Sequence, residues 1–262
     1  MKKWTKLLAC VMAILMMASV AFAEEAAEKP SITAHKANGI TIDGNLDDWN
    51  LDSPAVVKDA TQVIRDAVLW KGEDDLSANF YLAWDETNLY IAAEVHEDTP
   101  FGAIEMLPID GMDNIKLYIS TNPASDPART EYDTNDFLVY FIMNQEYWDT
   151  AIDRSMVPKE NRQRFVSVGI DGGESVLDGY VCAAETTTYG FTWEAIVPWA
   201  CFSNNKIAVY EPAVGDVLAC DFAITDIDYP CPGTEYIPQM AWTGTLKINE
   251  NPSQWGSVTL AE

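Results

Sequence analysis

Residues 76–95 read LSANFYLAWDETNLYIAAEV. Two runs rich in apolar and aromatic residues, 76–84 and 89–95, flank the polar tetrad Asp85-Glu86-Thr87-Asn88. That pattern predicts a β-hairpin. Working outward, residues 114–120, 137–144, 165–168, 176–187, 191–197, 217–225 and 257–260 form further β-like runs. Turn-formers such as Asn122-Pro123, Asp171-Gly172-Gly173 and Pro232-Gly233 separate them. No stretch keeps a 3.6-residue apolar period, and one helical turn after Pro198 is the most helix expected. Many strands without interleaved helices predict an all-β fold, an antiparallel β-sandwich, with residues 32–262 as a single domain. The polar stretch 121–135 reads as a surface loop inside that domain.

The first 23 residues carry a different message. Lys2, Lys3 and Lys6 precede an apolar run, 7–20, and Ala21-Phe22-Ala23 fits a small-x-small cleavage site. This reads as a secretory signal peptide, too short for a stable membrane span. Cys10 lies too early in the apolar run to mark lipidation. Residues 24–31 read as a flexible charged leader. The remaining chain is expected outside the cytoplasm without membrane insertion. A net charge of −25 repels nucleic-acid phosphates, which excludes nucleic acid as a partner. Past the signal segment, Cys182, Cys201, Cys220 and Cys231 allow three pairings, and none of their spacings suits a zinc knuckle.

Six pieces, in order, carry a resemblance. They are IDGNLDDW (42–49), DLSA (75–78), LAWD with NLYIA (82–85 and 88–92), YGFTWEAIVPW (189–199), DFAITD (221–226) and NPSQWGSVTL (251–260). Together they resemble the family 9 carbohydrate-binding modules, within the DOMON-like β-sandwiches. The resemblance implies a secreted, non-catalytic module that binds an oligo- or polysaccharide in carbohydrate catabolism, often beside an extracellular glycanase. It also implies that some members carry structural calcium.

The departures from that family are specific. Its members clamp a sugar ring between two tryptophans, and here Asp110 and Asn249 stand at those places. Lys116 replaces the family's glutamate, and Leu138 and Ala223 replace an arginine and a glutamine. Neither Asp110 nor Asn249 offers a ring face to sugar C–H groups, so a glycan must bind elsewhere or differently. Trp70, Trp148 and Trp242 flank loops and are the candidate ligand-binding rings; burial under a loop is the competing reading. Trp84, Trp193, Trp199 and Trp255 are expected in the core.

TIDGNLDDWN (41–50) raises a metal question. Asp43, Asn45 and Asp47 alternate at i, i+2 and i+4, the ligand rhythm of calcium loops. The same residues also suit an Asx turn with Trp49 packed inward. Asp226-Ile227-Asp228 has the same ambiguity, whereas Asp74 and Asp75 read as turn residues. No catalytic motif such as G-x-S-x-G or H-E-x-x-H is present, so no enzyme is expected. The alternatives are an interaction sandwich that has lost the sugar site and a haem-binding domain. Haem would use His96 with Met106 or Met112, or Met112 with Lys116.

Overall fold

The computed structural model describes residues 28–99, 113–142, 164–167, 173–175, 179–203, 207–228 and 237–262. The strands among them are β1 (Ser31–Lys36), β2 (Ala55–Val57), β3 (Val63–Arg65), β4 (Leu76–Trp84), β5 (Asn88–Glu97), β6 (Asn114–Ser120), β7 (Asp136–Ile142), β8 (Arg164–Ser167), β9 (Gly173–Ser175), β10 (Val181–Thr187), β11 (Gly190–Pro198), β12 (Val217–Thr225), β13 (Gln239–Ala241) and β14 (Gly256–Leu260). Among the described residues helix is confined to short 3₁₀ turns, including Trp199–Phe202 directly after Pro198.

The first sheet runs β10-β11-β5-β4, with β2 on the far side of β4. The second runs β14-β12-β6-β7-β8-β9, with β13 beside the C-terminal half of β12 and β3 beside β13. Strand β1 joins the two. Residues Ser31–Ala34 pair with β14, and His35 and Lys36 pair with β4, both in parallel. Among the described residues the antiparallel expectation therefore holds for every pairing except those of β1.

Alternation builds the core. Phe80, Leu82 and Trp84 of β4 and Ile91, Ala93 and Val95 of β5 face Ile115, Leu117, Phe222 and Ile224 of the second sheet. Phe80 stacks on Phe222 with centroids 4.7 Å apart. Burying one such ring contributes roughly 1.5–3 kcal/mol. The β4–β5 hairpin is apolar on both phases because its outer face is covered too. Tyr81, Ala83 and Ala92 lie beneath Leu46 and Trp49. Strands buried on both faces lose the alternation of a half-exposed sheet.

The loop 121–135 is fastened to the sandwich. Arg129 donates Nε–H and Nη2–H to the two oxygens of Asp136, at 2.8 and 2.6 Å, and Asp136 is fully buried. Cys220 is a free thiol in the core, so the four cysteines do not form two disulfides. Cys231 lies outside the described residues.

Candidate functional site

The outer face of the second sheet carries the positions where a sugar site was in question. Register sets Tyr118 opposite Asp221 and Leu138, and Lys116 opposite Ala223 and Tyr140. Asn249 Oδ1 accepts the Tyr118 hydroxyl at 2.5 Å. The Lys116 ammonium sits 4.9 Å from the Tyr140 ring centre. Leu138 and Ala223 are buried with Ile248 and Trp255 in a small apolar cluster. Asn249 is thus engaged in a side-chain hydrogen bond, and Leu138 and Ala223 are closed off from solvent. Asp110 lies outside the described residues. Asp221, on the same face, is held by the Thr243 hydroxyl and the Phe222 N–H. Burial pushes its carboxyl up to about 7.

Of the candidate tryptophans, Trp70 and Trp242 do not present flat open rings. Trp242 is 7% exposed and packs edge-on to Phe222. Its ring is core, which corrects the expectation of a loop-flanking sugar platform. Gly256 explains the fit, because a Cβ there would fall 2.6 Å from that indole. Trp70 is half-buried against the core, and its N–H donates to the Leu76 carbonyl at 2.9 Å. Trp148 lies outside the described residues. Trp84, Trp193, Trp199 and Trp255 are buried as expected.

The loop at Asp43 is a turn clamped from below. Asp43 Oδ1 accepts the Asn45 N–H, and Asn45 Oδ1 accepts the Asp47 N–H, which makes two successive Asx turns. Glu194 of β11 accepts the N–H groups of Asp43 and Gly44 on one oxygen, both at 2.6 Å, and the Trp49 indole N–H on the other at 2.7 Å. Gly44 has φ 97°, and a Cβ there would lie 2.8 Å from the Ala184 carbonyl carbon. The side-chain oxygens of Asp43 and Asn45 are therefore turned to the loop's own backbone. Among the described residues, neither Asp43 nor Asp47 belongs to a cluster of three potential metal ligands.

Such clusters lie where β5 and β12 end. Glu97 closes β5, and Asp226 and Asp228 follow β12. These three can bring one carboxylate oxygen each within 4.8 Å of one another. Asp75, Asp98 and Asp228 form an overlapping outer group. Glu97 and Asp226 are each 2% exposed. Burial first, then Asp226 and Asp113, raises the Glu97 carboxyl far above the usual carboxylate range. Burial first, then Asp228 and Asp75, raises Asp226 as well. Lys71 reaches the outer rim, where its Nζ donates to Asp75 Oδ1 at 2.9 Å and Asp228 Oδ2 at 3.2 Å. Asp226 and Asp228 were visible in sequence as an acidic loop. Glu97 was not singled out, although its place in the inward phase Ile91-Ala93-Val95-Glu97 sets a charge where the core expects an apolar residue.

Beside this acidic end a cleft of about 380 Å³ opens between β5 and the β10–β11 turn, lined by Asp74, His96, Asp98, Thr187 and Tyr189. Tyr189 is 69% exposed. Among the residues whose side chains are described, it is the one tyrosine, tryptophan or phenylalanine that is exposed. Its ring stacks on His96 at 5.9 Å and 19°. Gly190 brings the turn close, with φ 147° and space for no Cβ: one would meet the Val95 carbonyl oxygen at 2.2 Å. His96, the haem candidate, is thus an exposed ring against a tyrosine. Met106 and Met112 lie outside the described residues.

Comparisons with known proteins agree on the fold. A family model described as carbohydrate family 9 binding domain-like matches residues 42–262. The structure is similar to a family 9 carbohydrate-binding module from Caldicellulosiruptor kristjanssonii solved with cellotriose. That match has 16% identity and a TM-score of 0.56, and covers 88% of this chain and 94% of the other. It is also similar to a family 9 module from the same organism solved with glucose, at 17% identity and TM-score 0.54, covering 88% and 95%. Comparison with curated protein sequences finds no match.

Proposed function

The chain belongs to the carbohydrate family 9 binding domain-like proteins, and from that premise we propose an exported, non-catalytic module that binds oligo- or polysaccharide through the cleft beside Tyr189. The observation that carries this reading is the exposed Tyr189 ring, backed by His96 and set beside carboxylates and hydroxyls. A sugar presents an apolar C–H face and a rim of hydroxyls. A flat ring takes the first, and Asp74, Asp98 and Thr187 offer partners for the second. The relatives' ligands, cellotriose and glucose, suggest glucose-based glycans as the class to try first.

One ring holds a sugar less firmly than two. A single aromatic contact adds about 0.5–1.5 kcal/mol beyond its area burial. Free mono- and disaccharides are therefore expected to bind feebly, and a polymer that engages the cleft repeatedly to be retained. Affinity electrophoresis in gels containing soluble β-glucan or xylan tests this, with Tyr189→Ala as the variant that should run unretarded. Export rests on the signal-like residues 1–23 and is checked by N-terminal sequencing of secreted protein, expected to start after Ala23. An extracellular glycanase acting on the same polymer is the proposed partner.

The hydrogen bond from Tyr118 to Asn249 favours a second reading, an interaction sandwich whose outer face no longer takes sugar. That reading predicts no retardation by any polysaccharide.

A further inference from the structure

We propose that Glu94 and Asn79 form a second sugar subsite beside Tyr189, so that the site takes at least two units of a neutral glycan chain; this rests on the Tyr189 cleft being the sugar site. Strand register sets the place. His96 of β5, against which Tyr189 stacks, stands opposite Gly190 of β11 and Ser77 of β4. Two residues back along β5, Glu94 stands opposite Asn79 on one side and Thr192 on the other, and Thr192 stands opposite Glu185. Residues two apart on a strand share a face and lie roughly 6–7 Å apart. The row from Asn79 to Glu185 therefore extends the outer face of the first sheet from His96 by room for one further sugar unit. The next row is closed. There Tyr81 and Ala92 lie beneath Leu46 and Trp49, and the Thr192 hydroxyl donates to the Gly44 carbonyl of the covering loop at 2.6 Å.

Glu94 is half-buried and held in one orientation. Its Oε2 accepts the Tyr81 hydroxyl at 2.5 Å and the Asn79 side-chain amide at 3.3 Å. Among the described residues its Oε1 accepts no hydrogen bond. A carboxylate with one oxygen tied down and the other open is a preorganised acceptor for a sugar hydroxyl, and its charge strengthens that bond. Half-buried Asn79 sets an amide beside it. Charge then selects the class of chain. The cleft is lined by Asp74, Glu97 and Asp98, and the row adds Glu94 and Glu185, with no lysine or arginine in either. On a chain of net charge −25, a uronic or sulfated glycan meets repulsion that a glycan bearing only hydroxyls does not.

The experiment is gel retardation of the full chain in soluble β-glucan and in xylan, competed with the monomer, dimer and trimer of the retarding polymer's own sugar. The dimer should release wild type about tenfold more readily than the monomer, the gain from one hydrogen bond to a charged group, with little further gain at the trimer. Glu94→Gln and Asn79→Ala should each lose that step while remaining folded by circular dichroism. A carboxymethylated form of the same polymer should not retard wild type, a measurement that still decides should either variant unfold. Equal release of wild type by monomer and dimer, a step that survives in both variants, or equal retardation by the carboxymethylated and neutral polymers would overturn the subsite and leave Tyr189 standing. A wild type that neither polymer retards would overturn both.

Discussion

The Glu194 carboxylate accepts the Trp49 indole N–H at 2.7 Å, while its other oxygen holds the N–H groups of Asp43 and Gly44. One side chain of β11 thus fixes the loop that covers the outer face of the first sheet. Glu194→Gln keeps the volume but replaces an acceptor with a donor, so either the indole or the turn faces an N–H. The expected loss is about 1–3 kcal/mol in urea unfolding, with no change in fold. A variant as stable as wild type would contradict the clamp.

Asp43→Ala removes the acceptor of the first Asx turn. It should cost about 1 kcal/mol, equally in calcium and in EDTA. Urea unfolding of wild type and variant in both conditions checks this. A cost that appears only in calcium would place a metal at the loop.

Asp221 gives a pH signature. Its folded-state carboxyl is raised to about 7 from an ordinary value near 3.8, chiefly by burial. A raised pKa means the native state holds the proton more tightly than the unfolded chain. The associated stability is complete below about pH 4 and is lost as pH rises toward 7. Asp221→Asn lacks this dependence. The difference in unfolding free energy between wild type and variant, measured in EDTA, should therefore move against wild type from pH 4 to 7 and level off above 8.

Asp136 and Arg129 form a two-pronged buried pair under the 121–135 loop. Asp136→Ala leaves the guanidinium without its partner and should cost about 3–5 kcal/mol. Because the pair is shielded, 0.5 M salt should change that cost little, which denaturation at two ionic strengths will show.

Long elements were legible in sequence and short ones were not. The 76–95 hairpin, β6 and β12 announce themselves by length and apolar content. β2, β3 and β13 have three residues each, too few for any period to show, and β1 hides behind His35 and Lys36. The site was harder for a physical reason. Trp242 and Trp70 flank polar turns in sequence, yet tertiary packing seats one in the core and caps the N–H of the other. Asp43-x-Asn45-x-Asp47 has calcium-like spacing, but spacing cannot reveal that Glu194, about 150 residues away, grips the same turn. Glu97, Asp226 and Asp228 converge only where the ends of β5 and β12, strands of opposite sheets, meet. Tyr189 sat within a family-like segment, and its exposure follows from the Gly190 turn.

Sugar binding at Tyr189, and not on the outer face of the second sheet, is tested most directly by retardation of wild type, Tyr189→Ala and Asn249→Ala in gels containing soluble β-glucan or xylan. Binding at Tyr189 predicts retarded wild type and Asn249→Ala, and unretarded Tyr189→Ala. Equal retardation of Tyr189→Ala and wild type, or loss of retardation in Asn249→Ala alone, would contradict it.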